Sequence, residues 1–151
     1  MREIIFRGKR LDNGEWAEGY LYEHEPELVG IVSENDVPEP SKWFIARTAF
    51  ADWNMPRLAE FIEVDPYTVG QYTGLKDKNG KRIFEGDIVR CGTGRVCKVT
   101  FFISPGVSGF DLVPIGGFDA PPPHNWSLFA DTEVIGNIHD NPELLKEAAQ
   151  P

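Results

Sequence analysis

The sequence predicts a mainly β fold with a minor α component, in which a curled, small-barrel-like sheet opens with an N-terminal hairpin and ends with a short C-terminal helix. Two observations predict the sheet. Short apolar runs alternate with turn residues along most of the chain, and Gly80, Gly86, Gly92 and Gly94 interrupt the strands of its centre. Glycine at this frequency between short strands is typical of strongly curved sheets.

The opening hairpin consists of a strand in Glu3–Arg7, a turn at Asp12–Gly14 and a second strand in Glu15–Tyr22. With the period of two that strands follow, the second strand places Ala17 and Leu21 on one face. The other face carries the residues that we identify as a candidate protein interface, which are Trp16, Tyr20 and Tyr22. We expect this aromatic side to meet solvent or another subunit.

A second hairpin is predicted in the centre of the chain. Asp77-Lys78-Asn79-Gly80 is a turn signal, with the reversal at Asn79-Gly80, because both residues tolerate a positive φ. Strands are predicted in the three stretches that follow, which are Lys81–Phe84, Asp87–Cys91 and Arg95–Ile103. The turn resembles a calcium loop at three positions, but Leu75 and Gly86 occupy the first and last ligand positions, which excludes that site.

The other segments complete one domain over residues 1–151. An acidic, Pro-containing surface excursion is predicted at about 23–41, with a short strand at Leu28–Val32, and a Pro-rich loop at about 116–125. Further strands are predicted near Leu58–Val64, Gly109–Pro114 and Asp131–Ile138. Asn141-Pro142-Glu143 starts the helix, with Asn as the cap, Pro at the first position and Glu at the positive end of the dipole.

Charge is unevenly distributed over this 151-residue chain of net charge -9. Residues 1–65 carry 7 basic and 14 acidic groups, residues 66–100 carry 7 and 3, and residues 101–151 carry 1 and 7. The basic centre is a candidate nucleic-acid or anion patch, or else it is neutralised by acidic groups of the same chain or a second subunit. The candidate residues of this patch are Lys76, Lys78, Lys81, Arg82, Arg90 and Tyr72.

Compartment and cofactors follow from other residues. The start of the chain shows no signal peptide and no apolar run long enough to cross a bilayer, so we expect a cytoplasmic protein without a membrane partner. Cys91 and Cys97 are expected to be half-buried free thiols, although the turn between them leaves a close approach open. No cofactor, metal or catalytic site is predicted, because His24, His124 and His139 lie in separate segments without a second ligand at metal-binding spacing.

Four segments together resemble the YopX family of prophage proteins. These are the opening I-I-F-R-G-K-R, then D-N-G-E-W-A-E-G-Y, the central V-G-Q-Y-T-G-L-K-D-K-N-G-K-R-I-F-E-G-D-I-V and the closing V-I-G-N-I-H-D-N-P-E-L-L. The resemblance spans nearly the whole chain. It implies a mainly β, barrel-like domain carried by phages and prophages, with no established activity and no catalytic residues to transfer.

Two functional hypotheses follow. The first is a non-catalytic phage accessory protein that acts as a protein-interaction module and self-associates, as the two-faced aromatic hairpin and the opposed charge segments suggest. The alternative is a small-barrel protein that binds nucleic acid through the basic, aromatic hairpin within 66–100, where bases would stack on rings such as Tyr72. An enzyme is the least favoured class, since no catalytic motif is present.

Overall fold

The computed structural model describes residues 3–26, 40–50, 58–116 and 131–147, and within these ranges it consists mostly of β-strands with a short C-terminal helix. This confirms the mainly β fold class. The strands form antiparallel sheets that do not close into a barrel within the described ranges. The frequent glycines therefore mark tight turns between strands and do not indicate closure.

The chain divides into two compact units. Residues 5–69 form the first, which we call the N-terminal unit, and residues 1–4 with 70–151 form the second, the C-terminal unit. The single domain over residues 1–151 remains a prediction.

The N-terminal unit contains an antiparallel sheet in the order β4-β3-β2-β1. Its strands are β1 Phe6–Lys9, β2 Trp16–His24, β3 Lys42–Phe50 and β4 Leu58–Val64. The expected opening hairpin is present, and Gly14 provides its turn with a φ of 73°. Pairing of β1 with β2 begins at Phe6 opposite Gly19, so the first strand starts later than Glu3. Strand β2 reaches His24 and thus extends into the predicted surface excursion.

One face of this sheet is the core of the unit. Ala17, Ile45, Ile62 and Val64 are buried there, and partly buried apolar side chains that include Leu21 pack against them. Gly19 lies between these residues on β2, where a Cβ atom would overlap the carbonyl oxygen of Ala46. Because the backbones of β2 and β3 approach each other this closely, the position requires glycine.

The C-terminal unit contains the β5–β6 hairpin and a four-stranded antiparallel sheet in the order β10-β7-β8-β9. Its strands are β5 Gly70–Lys76, β6 Arg82–Phe84, β7 Asp87–Cys91, β8 Val96–Ser104, β9 Val107–Pro114 and β10 Thr132–Asn137. Buried Ile83, Val89, Val99 and Leu112 form its core together with Cys91 and Cys97. The predicted strands of this half are present, with ends that differ by one to a few residues.

The turn at Asp77–Gly80 forms as predicted, and Gly80 has a positive φ of 82°. Asn79 does not, since only glycines have a positive φ in the described ranges. The backbone N–H of Gly80 donates to the Asp77 carbonyl (2.9 Å), and that of Asp77 donates to the Lys81 carbonyl (2.8 Å). The buried Asp77 carboxylate accepts N–H donors from Asn79, Lys81 and Val134 at 2.8, 2.9 and 3.0 Å. It thus connects the turn to β10.

These hydrogen bonds determine the ionisation of Asp77. Burial on its own disfavours the charged carboxylate, but the backbone N–H donors and the nearby Lys81 ammonium together outweigh it and lower the pKa below the ordinary value for Asp. The carboxylate is therefore charged at neutral pH, and its charge is part of what stabilises the turn.

The helix α1 spans Pro142–Glu147, with Glu143 in its first turn as predicted. The predicted side-chain cap is different: Oδ1 of Asn141 accepts from the backbone N–H of Asn137 (3.3 Å), because the turn after β10 brings that N–H within reach. A short 3-10 helix, Pro66–Thr68, ends the N-terminal unit. Within the described ranges, no helix is long and apolar enough to cross a membrane.

Three predictions fall outside the described residues. These are the strand at Leu28–Val32, most of the acidic excursion around it, and the Pro-rich loop from residue 117 onward.

Candidate functional site

Strand β2 exposes its aromatic side. Tyr20 is 68% exposed and Tyr22 is 47% exposed, whereas Ala17, which points to the other face of β2, is buried. This is the orientation that the period of two predicts, with small and aliphatic residues toward the core and tyrosines toward solvent.

The register of the sheet adds two phenylalanines to these tyrosines. Tyr22 on β2 lies opposite Phe44 on β3. Ala46 on β3 lies between Tyr20 on β2 and Phe61 on β4. The ring centroid of Tyr22 is 6.4 Å from that of Phe44 and 5.8 Å from that of Phe61, the second pair meeting edge to face. Phe61 is 56% exposed. We call Tyr20, Tyr22, Phe44 and Phe61 the outer aromatic face.

An open groove of about 500 Å³ lies on this face, lined by Tyr22, Phe44, Phe61 and His24. The His24 and Tyr22 rings are 6.4 Å apart. Two charged residues flank the groove: Lys42 is opposite His24, and Glu63 is opposite Phe44. The surface therefore has an apolar, aromatic centre with one cation and one anion beside it, which is the composition of a protein-binding patch.

Trp16, the third residue of the predicted interface, has a different environment. It lies on the same side of β2 but near the start of the strand, opposite Lys9. The guanidinium of Arg7 lies 4.6 Å from the centroid of its ring, and the ammonium of Lys9 lies 5.7 Å from it. Trp16 thus makes cation–π contacts within its own unit, and the exposed part of the predicted interface is Tyr20 and Tyr22.

The residues of the candidate basic patch differ in their burial and in their contacts. Tyr72 is only 5% exposed, packs against Phe84 at 5.5 Å between ring centroids, and has the guanidinium of Arg82 5.5 Å from its ring. Arg82 also pairs with Glu3 at 3.3 Å. Lys76, Lys81 and Arg90 are exposed. A ring in this position has no free face on which a base could stack.

Lys78, the remaining member of the patch, forms an ion pair with Glu133 at 2.7 Å. The hydrogen bond between them raises the pKa of Lys78 and lowers the pKa of Glu133. Part of the basic centre is therefore neutralised by acidic groups of the same unit, which is one of the two alternatives that the charge distribution left open.

The two cysteines approach each other closely. Cys91 and Cys97 are both buried, and their sulfur atoms lie 3.7 Å apart as free thiols. Burial, with the neighbouring Cys91 as a further cause, raises the pKa of Cys97 to about 12. They are more deeply buried than the expected half-buried thiols, since they belong to the core of the C-terminal unit.

Among the described histidines, cysteines and carboxylates, no group of three or more could hold a metal ion. His24 belongs to the groove, His139 follows β10, and His124 lies outside the described residues.

Sequence reasoning missed Phe44, Phe61 and His24 as members of the site. Their signal was the spacing within two strands: Lys42, Phe44 and Ala46 alternate with the core residues of β3, and Phe61 and Glu63 alternate with those of β4. Each strand taken alone predicts an outward side, but the position of Phe61 near Tyr22 depends on the register across three strands.

Two comparisons with known proteins gave a match. A family model described as YopX protein matches residues 6–146. Among solved structures, the chain is similar to protein EF1440 from Enterococcus faecalis, with 25% sequence identity, coverage of 96% of this chain and 99% of that chain, and a TM-score of 0.45. No curated protein matches.

Proposed function

The chain belongs to the YopX protein family, and we propose that it is a non-catalytic protein-interaction module, an accessory protein of phages and prophages, that self-associates through its outer aromatic face. One observation carries this proposal. Tyr20, Tyr22 and Phe61 are each about half exposed or more, at 68%, 47% and 56%, and they share one side of one sheet.

Such a surface favours association for two physical reasons. Apolar area removed from water contributes about 25 cal/mol per Å² before the entropic costs of association are subtracted, and Tyr and Phe bury large areas with little loss of side-chain freedom. Contiguous exposed aromatic residues on a soluble domain are typical of interaction sites. The opposite side of the sheet is the core, so these aromatic residues are not needed to complete the fold.

The nucleic-acid alternative has weaker support. Its stacking residue Tyr72 is buried beneath Arg82, and Lys78 is paired with Glu133. The net charge of -9 also disfavours approach to a polyanion. We also propose that the protein is cytoplasmic, a compartment in which the thiols of Cys91 and Cys97 would stay reduced.

The test is size-exclusion chromatography with light scattering at low and high salt. We expect the wild type to form a defined oligomer at both, since an apolar interface is insensitive to screening. The double variant Tyr20→Ser, Phe61→Ser should elute as a monomer with an unchanged circular dichroism spectrum.

Tyr67→Ser is the matched control, because Tyr67 is 90% exposed but lies in the 3-10 helix outside this face. It should leave the oligomer intact. A wild type that is monomeric at roughly 100 µM, a concentration at which even a weak specific dimer is populated, would reject the proposed function.

A further inference from the structure

We propose that the outer aromatic face binds the same face of a second copy in a two-fold symmetric dimer, with Lys42 of each chain against Glu63 of the partner subunit. This rests on the proposed function and adds the occupant of the face, its orientation and the residues that select it.

The register places the outward residues in three rows. His24 and Lys42 form the first row; Tyr22, Phe44 and Glu63 form the second; Tyr20, Ala46 and Phe61 form the third. Lys42 and Glu63 are therefore diagonal neighbours, one on β3 and one on β4, on either side of a line that passes over Phe44. Neither is in an ion pair with another residue of the described ranges.

Consider a two-fold axis that runs along this line, parallel to the sheet and midway between two facing copies. It brings the Lys42 position of one copy opposite the Glu63 position of the other. Lys42 of one chain then faces Glu63 of the partner subunit, and by symmetry the same contact occurs a second time. The operation also places Tyr22 over Ala46 of the partner subunit, a large side chain against a small one. Phe61 lies near His24 of the partner subunit, at the rim of its groove.

Charge selects this orientation over others. An axis that passed through Lys42 would place the two ammonium groups together, and one through Glu63 would place the two carboxylates together, each an unfavourable like-charge contact. The aromatic centre supplies the affinity, whereas the Lys42 and Glu63 pairs determine how the two faces are aligned.

Charge reversal tests the arrangement by sedimentation equilibrium at low salt. Lys42→Glu and Glu63→Lys each replace both opposite-charge contacts by like-charge ones, and each should weaken the dimer by about tenfold or more. An equimolar mixture of the two variants should recover association as a heterodimer, because both of its contacts then join opposite charges. Native mass spectrometry distinguishes the heterodimer from either homodimer.

Glu23→Lys is the control, since Glu23 is an exposed residue of β2 whose position in the strand alternation faces away from the aromatic side. It should dimerise as the wild type does. If both reversals leave the dimer unchanged, or if the mixture of folded variants gives no heterodimer, the arrangement is wrong. Loss of the dimer in Tyr20→Ser, Phe61→Ser but not in the charge variants would overturn this alignment alone and leave the proposed function standing.

Discussion

The aromatic residues of β2 and those of the β5–β6 hairpin have similar sequence settings and opposite environments. Tyr20 and Tyr22 lie on a strand of the hairpin that turns at Gly14, and Tyr72 and Phe84 lie on the two strands of the hairpin that turns at Gly80. Tyr20 and Tyr22 are exposed, but Tyr72 and Phe84 are 5% and 2% exposed. The proposed interface and the candidate nucleic-acid patch are distinguished by this difference.

The two regions differ in what covers the aromatic side chains. On β2 the other side carries Ala17 and Leu21, which supply the buried face, so the tyrosines are left outside. On β5 and β6, Tyr72 lies directly opposite Phe84, and the two rings pack against each other. An aromatic residue on a strand is thus a candidate for binding only when no neighbouring side chain covers its ring.

The largest expected effect on stability is the truncation of Phe84, and truncation of Phe61 is the comparison in the other region. Phe84→Ala should lower the free energy of unfolding by about 3–5 kcal/mol, since it leaves a cavity at a buried site. Phe61→Ala should lower it by no more than about 1 kcal/mol, because that ring is half exposed. Urea denaturation below the concentration of dimer formation measures both. Equal losses would mean that Phe61 belongs to the core.

Removing the charge of Asp77 should have an intermediate effect. Asp77→Asn should cost about 1–3 kcal/mol at neutral pH, because the amide cannot accept from Val134 while it also accepts from Asn79 and Lys81. The pKa of Asp77 is lowered in the folded state, so its contribution is complete above the unfolded pKa of about 3.9 and is lost as pH falls. The difference in the free energy of unfolding between the wild type and Asp77→Asn should therefore shrink below about pH 4, as measured by denaturation at a series of pH values. A difference that does not change with pH would exclude a role for the charge.

The smallest expected effect concerns the exposed ion pair between the same turn and β10. Glu133→Gln removes the partner of Lys78, but these side chains are 36% and 49% exposed, and solvent screens their attraction. We expect no measurable change in the denaturation midpoint, with Lys78→Met as the reciprocal variant. A clear loss in both would show that this pair, and not Asp77 alone, stabilises the contact of the turn with β10.

Local signals were sufficient for much of the fold. The turn at Asp77–Gly80 depends on the conformational freedom of Gly80 and on an Asp that can accept N–H donors, and both are visible in neighbouring residues. The outward orientation of Tyr20 and Tyr22 also follows from alternation within one strand. The prediction of a barrel-like sheet went further than such signals allow, since they define turns and strands but not how a sheet closes.

The site depended on contacts between residues distant in sequence. Phe61 joins Tyr22 because β3 lies between β2 and β4 in one particular register, and a shift by one residue would turn Phe61 toward the core. The burial of Tyr72 depends on Phe84 across a hairpin with an irregular register and on the position of Arg82 over the ring. No local pattern contains that information.

Gly19 has a consequence for which sequences could replace this one. Its position cannot accept any side chain without displacing the backbone of β3, whereas Tyr20 and Tyr22 beside it project into solvent and satisfy no requirement of the core. The strand therefore combines a position with almost no mutational freedom and positions with a great deal. New binding preferences could arise by substitution on the outer face while the framework that displays it stays the same.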